Sequence, residues 1–142
     1  MNGPDIFIVD DDQGHAVLLE NSLRDSGILN NIRWFSTGND ALECLFDDEL
    51  RMPMVVLLDL NMPGISGTEV LKEIRLHEKT QGLPVIVLTS TSQSREVEEC
   101  YRLGCNLYLS KPVQHEEFVS AIHTLGLMFK IASLPGAEEE VV

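Results

Sequence analysis

An α/β fold, built as one parallel sheet with helices on both faces, is predicted by three features of the chain. Short apolar runs alternate five times with segments of helical periodicity. The connections between them are short, as right-handed crossovers between neighbouring parallel strands allow. The run Val55-Val56-Leu57-Leu58 carries no polar residue on either face before it ends in Asp59, the pattern of a strand buried on both sides.

Each element has its own signals. Asp5-Ile6-Phe7-Ile8-Val9 reads as a first strand that ends in the acids Asp10, Asp11 and Asp12. From Gln13 to about Asp25, Ala16, Leu19 and Leu23 recur at helical spacing, and Ser26-Gly27 stops the helix. Asn30-Asn31 is turn chemistry ahead of a second strand over Ile32 to Phe35. Thr37-Gly38-Asn39-Asp40 opens a helix with Ala41, Leu42, Leu45 and Phe46 as its apolar face, and Asp47-Asp48-Glu49 follows as a solvated loop.

The central strand ends in Asp59, and Met62-Pro63-Gly64 then stops regular structure, because proline fixes φ and turns the preceding residue away from helix. Ser66 with Glu69 three residues later forms a capping box for a helix reaching about Glu78, along which Val70, Leu71 and Ile74 recur. Pro84 to Leu88 is a fourth strand running into Thr89-Ser90-Thr91-Ser92. Ser94 to Leu103 is a helix with Val97, Cys100 and Tyr101 inward, closed by Gly104. Leu107-Tyr108-Leu109 is a brief fifth strand ending in Ser110-Lys111-Pro112. The last helix, from about His115 to Phe129, places Phe118, Ile122, Leu125 and Phe129 on one stripe. Residues 1–130 are thus expected to form one domain, and residues 131–142, with Glu138-Glu139-Glu140, an acidic and flexible tail.

With 142 residues the chain suits one domain rather than two. A formal net charge of -13 argues against nucleic acid and anionic membrane as partners, since both need a basic patch. It leaves room for divalent cations and basic protein surfaces. Cys44, Cys100 and Cys105 lack CxxC spacing and read as reduced thiols. His15, His77, His115 and His123 share no ligand spacing and read as surface or helix-terminal residues. No basic, apolar leader begins the chain and no run approaches the roughly 20 apolar residues of a membrane helix, so the expected location is cytoplasmic.

Four strand ends carry polar groups directly after buried runs: Asp10 with Asp11, Asp59, Thr89 and Lys111. In a parallel sheet all four emerge at one edge, where open α/β sheets bind ligands. Three carboxylates close together repel and raise one another's pKa. A hard divalent cation relieves that conflict, and Mg²⁺ is commonly held by one or two carboxylates while it keeps waters and phosphate oxygens. With a lysine and a hydroxyl nearby, the set suits an acyl phosphate formed on an aspartate.

These pieces resemble the receiver domains of bacterial two-component response regulators. The matching motifs are Ile8-Val9-Asp10-Asp11-Asp12, Leu58-Asp59-Leu60-Asn61-Met62-Pro63-Gly64, Val87-Leu88-Thr89-Ser90 and Tyr108-Leu109-Ser110-Lys111-Pro112, and the resemblance spans about Asp5 to Phe129. It implies a flavodoxin-like fold with five parallel strands. It also implies that Asp59 is the phosphoacceptor, charged from a sensor histidine kinase or a phosphotransfer protein. Asp10, Asp11, Asp59 and the backbone carbonyl of Asn61 would hold Mg²⁺ or Mn²⁺. Thr89 and Lys111 would bind phosphoryl oxygens, Thr89 and Tyr108 would form the switch, and the Lys111–Pro112 bond would be cis. Ser66 stands where the family often has Asp, and either residue caps a helix.

The absence of a following output domain implies a stand-alone regulator that acts through protein contacts. Tyr101-Arg102-Leu103-Gly104-Cys105-Asn106-Leu107-Tyr108 and Leu125-Gly126-Leu127-Met128-Phe129 are similar to single-domain regulators paired with bacterial phytochrome kinases. In that group a homodimer is common, and Leu127-Met128-Phe129 with Ile131 offers a contact for one. The alternative function is a receiver-like interaction module that works without phosphorylation, against which the intact chemical positions count. An enzyme acting on small phosphorylated substrates is disfavoured, because Asn61 occupies the position two after Asp59 where such phosphatases carry an acid.

Overall fold

A computed structural model describes residues 3–90 and 94–125. Its elements in chain order are β1 (Ile6–Val9), α1 (Gln13–Asp25), β2 (Ile32–Phe35), α2 (Gly38–Leu45), β3 (Val55–Asp59), α3 (Gly67–Leu76), β4 (Val85–Thr89), α4 (Ser94–Leu103), β5 (Leu107–Ser110) and α5 (His115–Thr124). All neighbouring strands pair in parallel, in the order β2-β1-β3-β4-β5. Every residue of β1, β3 and β4 is buried, whereas β2 and β5 are only partly covered. The continuous apolar runs therefore occupy the middle of the sheet and the mixed ones its edges, as burial on both faces demands.

The period of two along each strand divides the core into two halves. Ile6, Ile8, Leu57, Ile86 and Leu88 face α1 and α5, where Leu19, Leu23, Phe118 and Ile122 meet them. Phe7, Val9, Val56, Leu58, Val85 and Val87 face Leu45, Leu71, Ile74 and Cys100 of α2, α3 and α4. From β1 the chain leaves to β2 on one side, then returns past β1 to β3 on the other. The carboxyl ends of β1 and β3 thus flank the point where strand order reverses, the place where a crevice opens in such sheets.

Among the described residues three helix starts carry side-chain caps, of which Ser66 is the one predicted. Asp12 Oδ1, Thr37 Oγ1 and Ser66 Oγ accept from the backbone N–H groups of His15, Asp40 and Glu69 respectively. The structure corrects element boundaries and one packing assignment. α3 ends at Leu76 rather than near Glu78, since His77 is extended and Thr80 Oγ1 donates to the free carbonyl of Ile74. β4 runs on through Thr89. Tyr101 does not face the core: it is 47% exposed, while Cys100 is fully buried. α4 packs on α3 through Cys100, with Val97 half-buried one turn before it, and Tyr101 lies about 100° further round the helix. The end of the last predicted helix and the 131–142 tail lie outside the described residues.

Gly67 fixes how closely α3 approaches the end of β3. A Cβ there would lie 2.3 Å from the carbonyl oxygen of Asp59 and 2.5 Å from Cα of Leu60, both backbone atoms that cannot turn aside. Gly67→Ala is expected to lower stability by about 1–3 kcal/mol, the usual range for overpacking, as a fall in urea midpoint. Because the clash falls on Asp59 itself, the same variant should also weaken divalent-cation binding.

Candidate functional site

The crevice at the β1–β3 switch point gathers the polar strand ends. Asp10, the residue after β1, is fully buried, and Asp59, the last of β3, is 2% exposed. Lys111, just past β5, places Nζ 3.3 Å from Asp10 Oδ2 and 3.2 Å from Asp59 Oδ2. Asp59 Oδ1 accepts the backbone N–H of Asn61 at 3.1 Å, and Asp10 Oδ1 accepts that of Asp12 at 2.9 Å. The Asn61 amide donates to Thr89 Oγ1 at 3.1 Å, tying the end of β4 to the loop after β3. The opening above is a cleft of about 500 Å³ lined by Asp11, Asp59, Asn61, Ser90 and Lys111 among others.

Residues a hundred positions apart in sequence meet here because every strand points the same way. Lys111 reaches its place because β5 pairs with β4 and the Lys111 N–H donates to Thr89 O at 2.9 Å. The Lys111–Pro112 bond is cis. Of the sequence-derived set, Asp10, Asp11, Asp59, Asn61, Thr89 and Lys111 converge on this edge. Tyr108 does not join them. It sits on β5 opposite Val87, half-buried against the apolar face shared with α4, its hydroxyl 3.4 Å from Ser110 Oγ.

Two residues of the site were not anticipated from sequence. His15 is not a surface residue: it is 7% exposed, and its Nδ1 lies 2.6 Å from Asp10 Oδ2. Trp34, on edge strand β2, donates Nε1–H to the backbone carbonyl of Asp10 at 2.6 Å. The available signal for His15 was its place in the first helical turn after an acid-tipped strand, five residues past Asp10.

Burial pushes Asp59 above the ordinary carboxylate value of 3.8; the Asn61 N–H and Lys111 pull it back, but Asp10 adds to the rise and the net shift is upward. Asp10 behaves oppositely. Burial acts to raise it, yet the His15 hydrogen bond, the Asp12 N–H and the charge of Lys111 together hold it below 3.8. Lys111 loses hydration, which lowers its value, but Asp59 and Asp10 more than compensate and leave it raised.

One carboxylate oxygen from each of Asp10, Asp11 and Asp59 lies within 4.8 Å of the others, with Asp11 exposed toward the cleft. Oxygen-only donors at that spacing, two of them buried and mutually repelling, suit a small hard divalent cation. The raised Asp59 gives the pH dependence its sign. Its carboxyl must lose a proton to bind a cation, so divalent affinity should fall as pH drops through the raised value, while Asp10 stays ionised. Manganese titrations at successively lower pH, followed by the electron paramagnetic signal of the free ion, would measure this. Without metal, Asp59 costs stability as pH rises through its folded value. Asp10 contributes stability above 3.8 and loses it only at lower pH.

Residues 6–123 match the family model of the response regulator receiver domain. Among solved structures, the bacteriophytochrome response regulator RtBRR is 35% identical with a TM-score of 0.78, the match covering 87% of this chain and 78% of that one. The Mn²⁺-bound form of response regulator Rcp1 is 29% identical with a TM-score of 0.76, covering 87% and 94%. The phosphorylated cyanobacterial phytochrome response regulator RcpA is 26% identical with a TM-score of 0.77, covering 94% and 99%. With its fold and more than half its length in agreement, the chain belongs to the response regulator receiver-domain family.

Proposed function

We propose that this receiver is a cytoplasmic phospho-switch, in which Asp59 accepts one phosphoryl group from a phosphohistidine of a sensor histidine kinase or a phosphotransfer protein. The observation that carries the reading is the Asp59 carboxylate, which is almost fully buried at the end of β3, paired with Lys111 and flanked by Asp10 and Asp11. An oxygen of Asp59 attacks phosphorus as the P–N bond of the donor breaks, and the imidazole leaves with the electron pair of that bond. Lys111 turns from the two carboxylates to the incoming phosphoryl oxygens. Thr89 gives up the amide of Asn61 and donates its hydroxyl to another phosphoryl oxygen. Asp10, Asp11, Asp59 and the backbone carbonyl of Asn61 would hold Mg²⁺ or Mn²⁺, which when bound neutralises charge on the transferring group. Hydrolysis of the same acyl phosphate resets the switch, so the protein assists its own phosphotransfer and dephosphorylation but turns over no small substrate.

The readout is a population shift. Drawing Thr89 toward phosphate vacates the space beside it on β4, and Tyr108, on the paired strand, rotates to follow, altering the face formed by α4, β5 and α5. A phytochrome-type kinase is the proposed partner, because RtBRR and RcpA are named as bacteriophytochrome and phytochrome response regulators. A homodimer through Leu127, Met128, Phe129 and Ile131 belongs to the same reading; those residues lie outside the described ones. Intact mass after incubation with acetyl phosphate and Mg²⁺ tests the chemistry. One added phosphoryl group, mapped to Asp59 and absent in EDTA, is expected. Uptake on another residue, or uptake indifferent to chelation, would overturn it.

A further inference from the structure

His15 is buried, polar and outside the phosphotransfer chemistry assigned above. Its ring has two nitrogens and, among the described residues, one hydrogen bond. Nδ1 lies 2.6 Å from Asp10 Oδ2, and Nε2 is buried without a partner among the described residues. An ionised carboxylate only accepts, so Nδ1 is the donor. An apolar ring would fill the same space without leaving a buried nitrogen unpaired. That cost is offset only by the short bond to a charged oxygen.

The local backbone directs His15 to this duty. Its own N–H donates to Asp12 Oδ1 as part of the α1 cap, while the Asp12 N–H donates to Asp10 Oδ1. Side chains in the first turn of a helix lean back toward its N-terminus, here toward the end of β1. Asp10 is thereby held at both oxygens, Oδ1 by the Asp12 N–H and Oδ2 by His15, with Lys111 as a third donor at 3.3 Å. Lys111 is the donor that phosphorylation calls away. His15 and the Asp12 N–H then remain to fix the carboxylate.

We propose that His15 is a positioning residue that orients the buried carboxylate of Asp10 toward the divalent cation through its Nδ1–H, and keeps that bond when the cation is bound. This rests on reading Asp10 as a metal ligand. Hydrogen-bond partners of metal ligands commonly contribute 10- to 100-fold in affinity.

The test measures Mn²⁺ binding to the unphosphorylated protein by the electron paramagnetic signal of the free ion, in wild type, His15→Asn and His15→Phe. The asparagine amide keeps a donor near the place of Nδ1; the phenylalanine ring keeps the volume and loses the donor. His15→Phe should bind about 10- to 100-fold more weakly, and His15→Asn should recover most of the loss. Equal affinity in His15→Phe and wild type would overturn the proposal. So would a His15→Asn protein as weak as His15→Phe. A measurement on wild type alone covers the case in which a variant does not fold. The imidazole Nδ1–H resonance in ¹⁵N-edited spectra should persist on saturation with Mg²⁺, and its loss to solvent exchange would overturn the proposal. Failure of the underlying reading looks different, since wild type itself would then bind no Mn²⁺.

Discussion

Asp59→Asn should take up no phosphoryl group from acetyl phosphate, a fall of at least about a thousandfold, while remaining as stable as wild type in metal-free buffer at neutral pH. The two halves of that expectation come from the same environment. An amide has the shape of the carboxylate and can still accept the Asn61 N–H, but its oxygen is a poor nucleophile and carries no charge. The carboxylate is itself costly in the folded state. Its value is raised by burial and by the neighbouring charge of Asp10, so ionisation at neutral pH works against folding. Removing the charge relieves that conflict, and Lys111 keeps Asp10 as a partner 3.3 Å away. Urea melts in EDTA beside the uptake measurement would check both. Lost uptake with a lower midpoint would attribute the effect to misfolding. Lost uptake with an unchanged or higher midpoint assigns it to the nucleophile.

The residues of this site differ in how far sequence alone exposed them, and the difference has a physical cause. Asp10, Asp59 and Thr89 end apolar runs that read as buried strands, Lys111 follows the partly covered edge strand β5, and parallel strands put their carboxyl ends on one edge. Strand position therefore stands in for a long-range contact. His15 and Trp34 offer no such shortcut. The helical stripe of α1 is set by Ala16, Leu19 and Leu23, and nothing in that period shows that the ring beside Ala16 turns toward a carboxylate. Trp34 reaches the Asp10 carbonyl across a strand pair, from a position 24 residues away. The misplaced Tyr101 shows the same limit on one helix. A spacing of three or four fits Cys100 and Tyr101 equally, and only the packing of α4 on α3 selects Cys100. Arg75 is a further case, since a charge in the last turn of α3 reads as solvated. Its guanidinium instead donates to the carbonyls of Gly104 and Leu83 and to the Asn106 side chain, joining the α3–β4 and α4–β5 loops at the end of the sheet opposite the site.

Lys111→Met separates the two duties assigned to that lysine. In the metal-free protein Nζ is the one side-chain cation beside Asp59 among the described residues, and it serves Asp10 as well. Its raised value means that its contribution is complete below 10.5 and is lost only at higher pH, so neutral buffer shows all of it. Methionine keeps most of the length and apolar stem while leaving two buried carboxylates facing each other. A loss of about 3 kcal/mol in EDTA is expected. That is the low end for breaking a buried ion pair, because Asp10 retains His15 and the Asp12 N–H. A divalent cation competes with Lys111 for the same oxygens, so the variant should bind Mg²⁺ about tenfold more tightly. Magnesium at a hundred times Kd should then restore about 2.7 kcal/mol. Phosphoryl uptake should nevertheless fall at saturating Mg²⁺, because the ammonium proposed to meet the incoming phosphoryl oxygens is gone. Tighter metal with slower uptake is a combination that a purely structural lysine cannot produce. A variant in which both decline together would reduce Lys111 to a brace for the crevice.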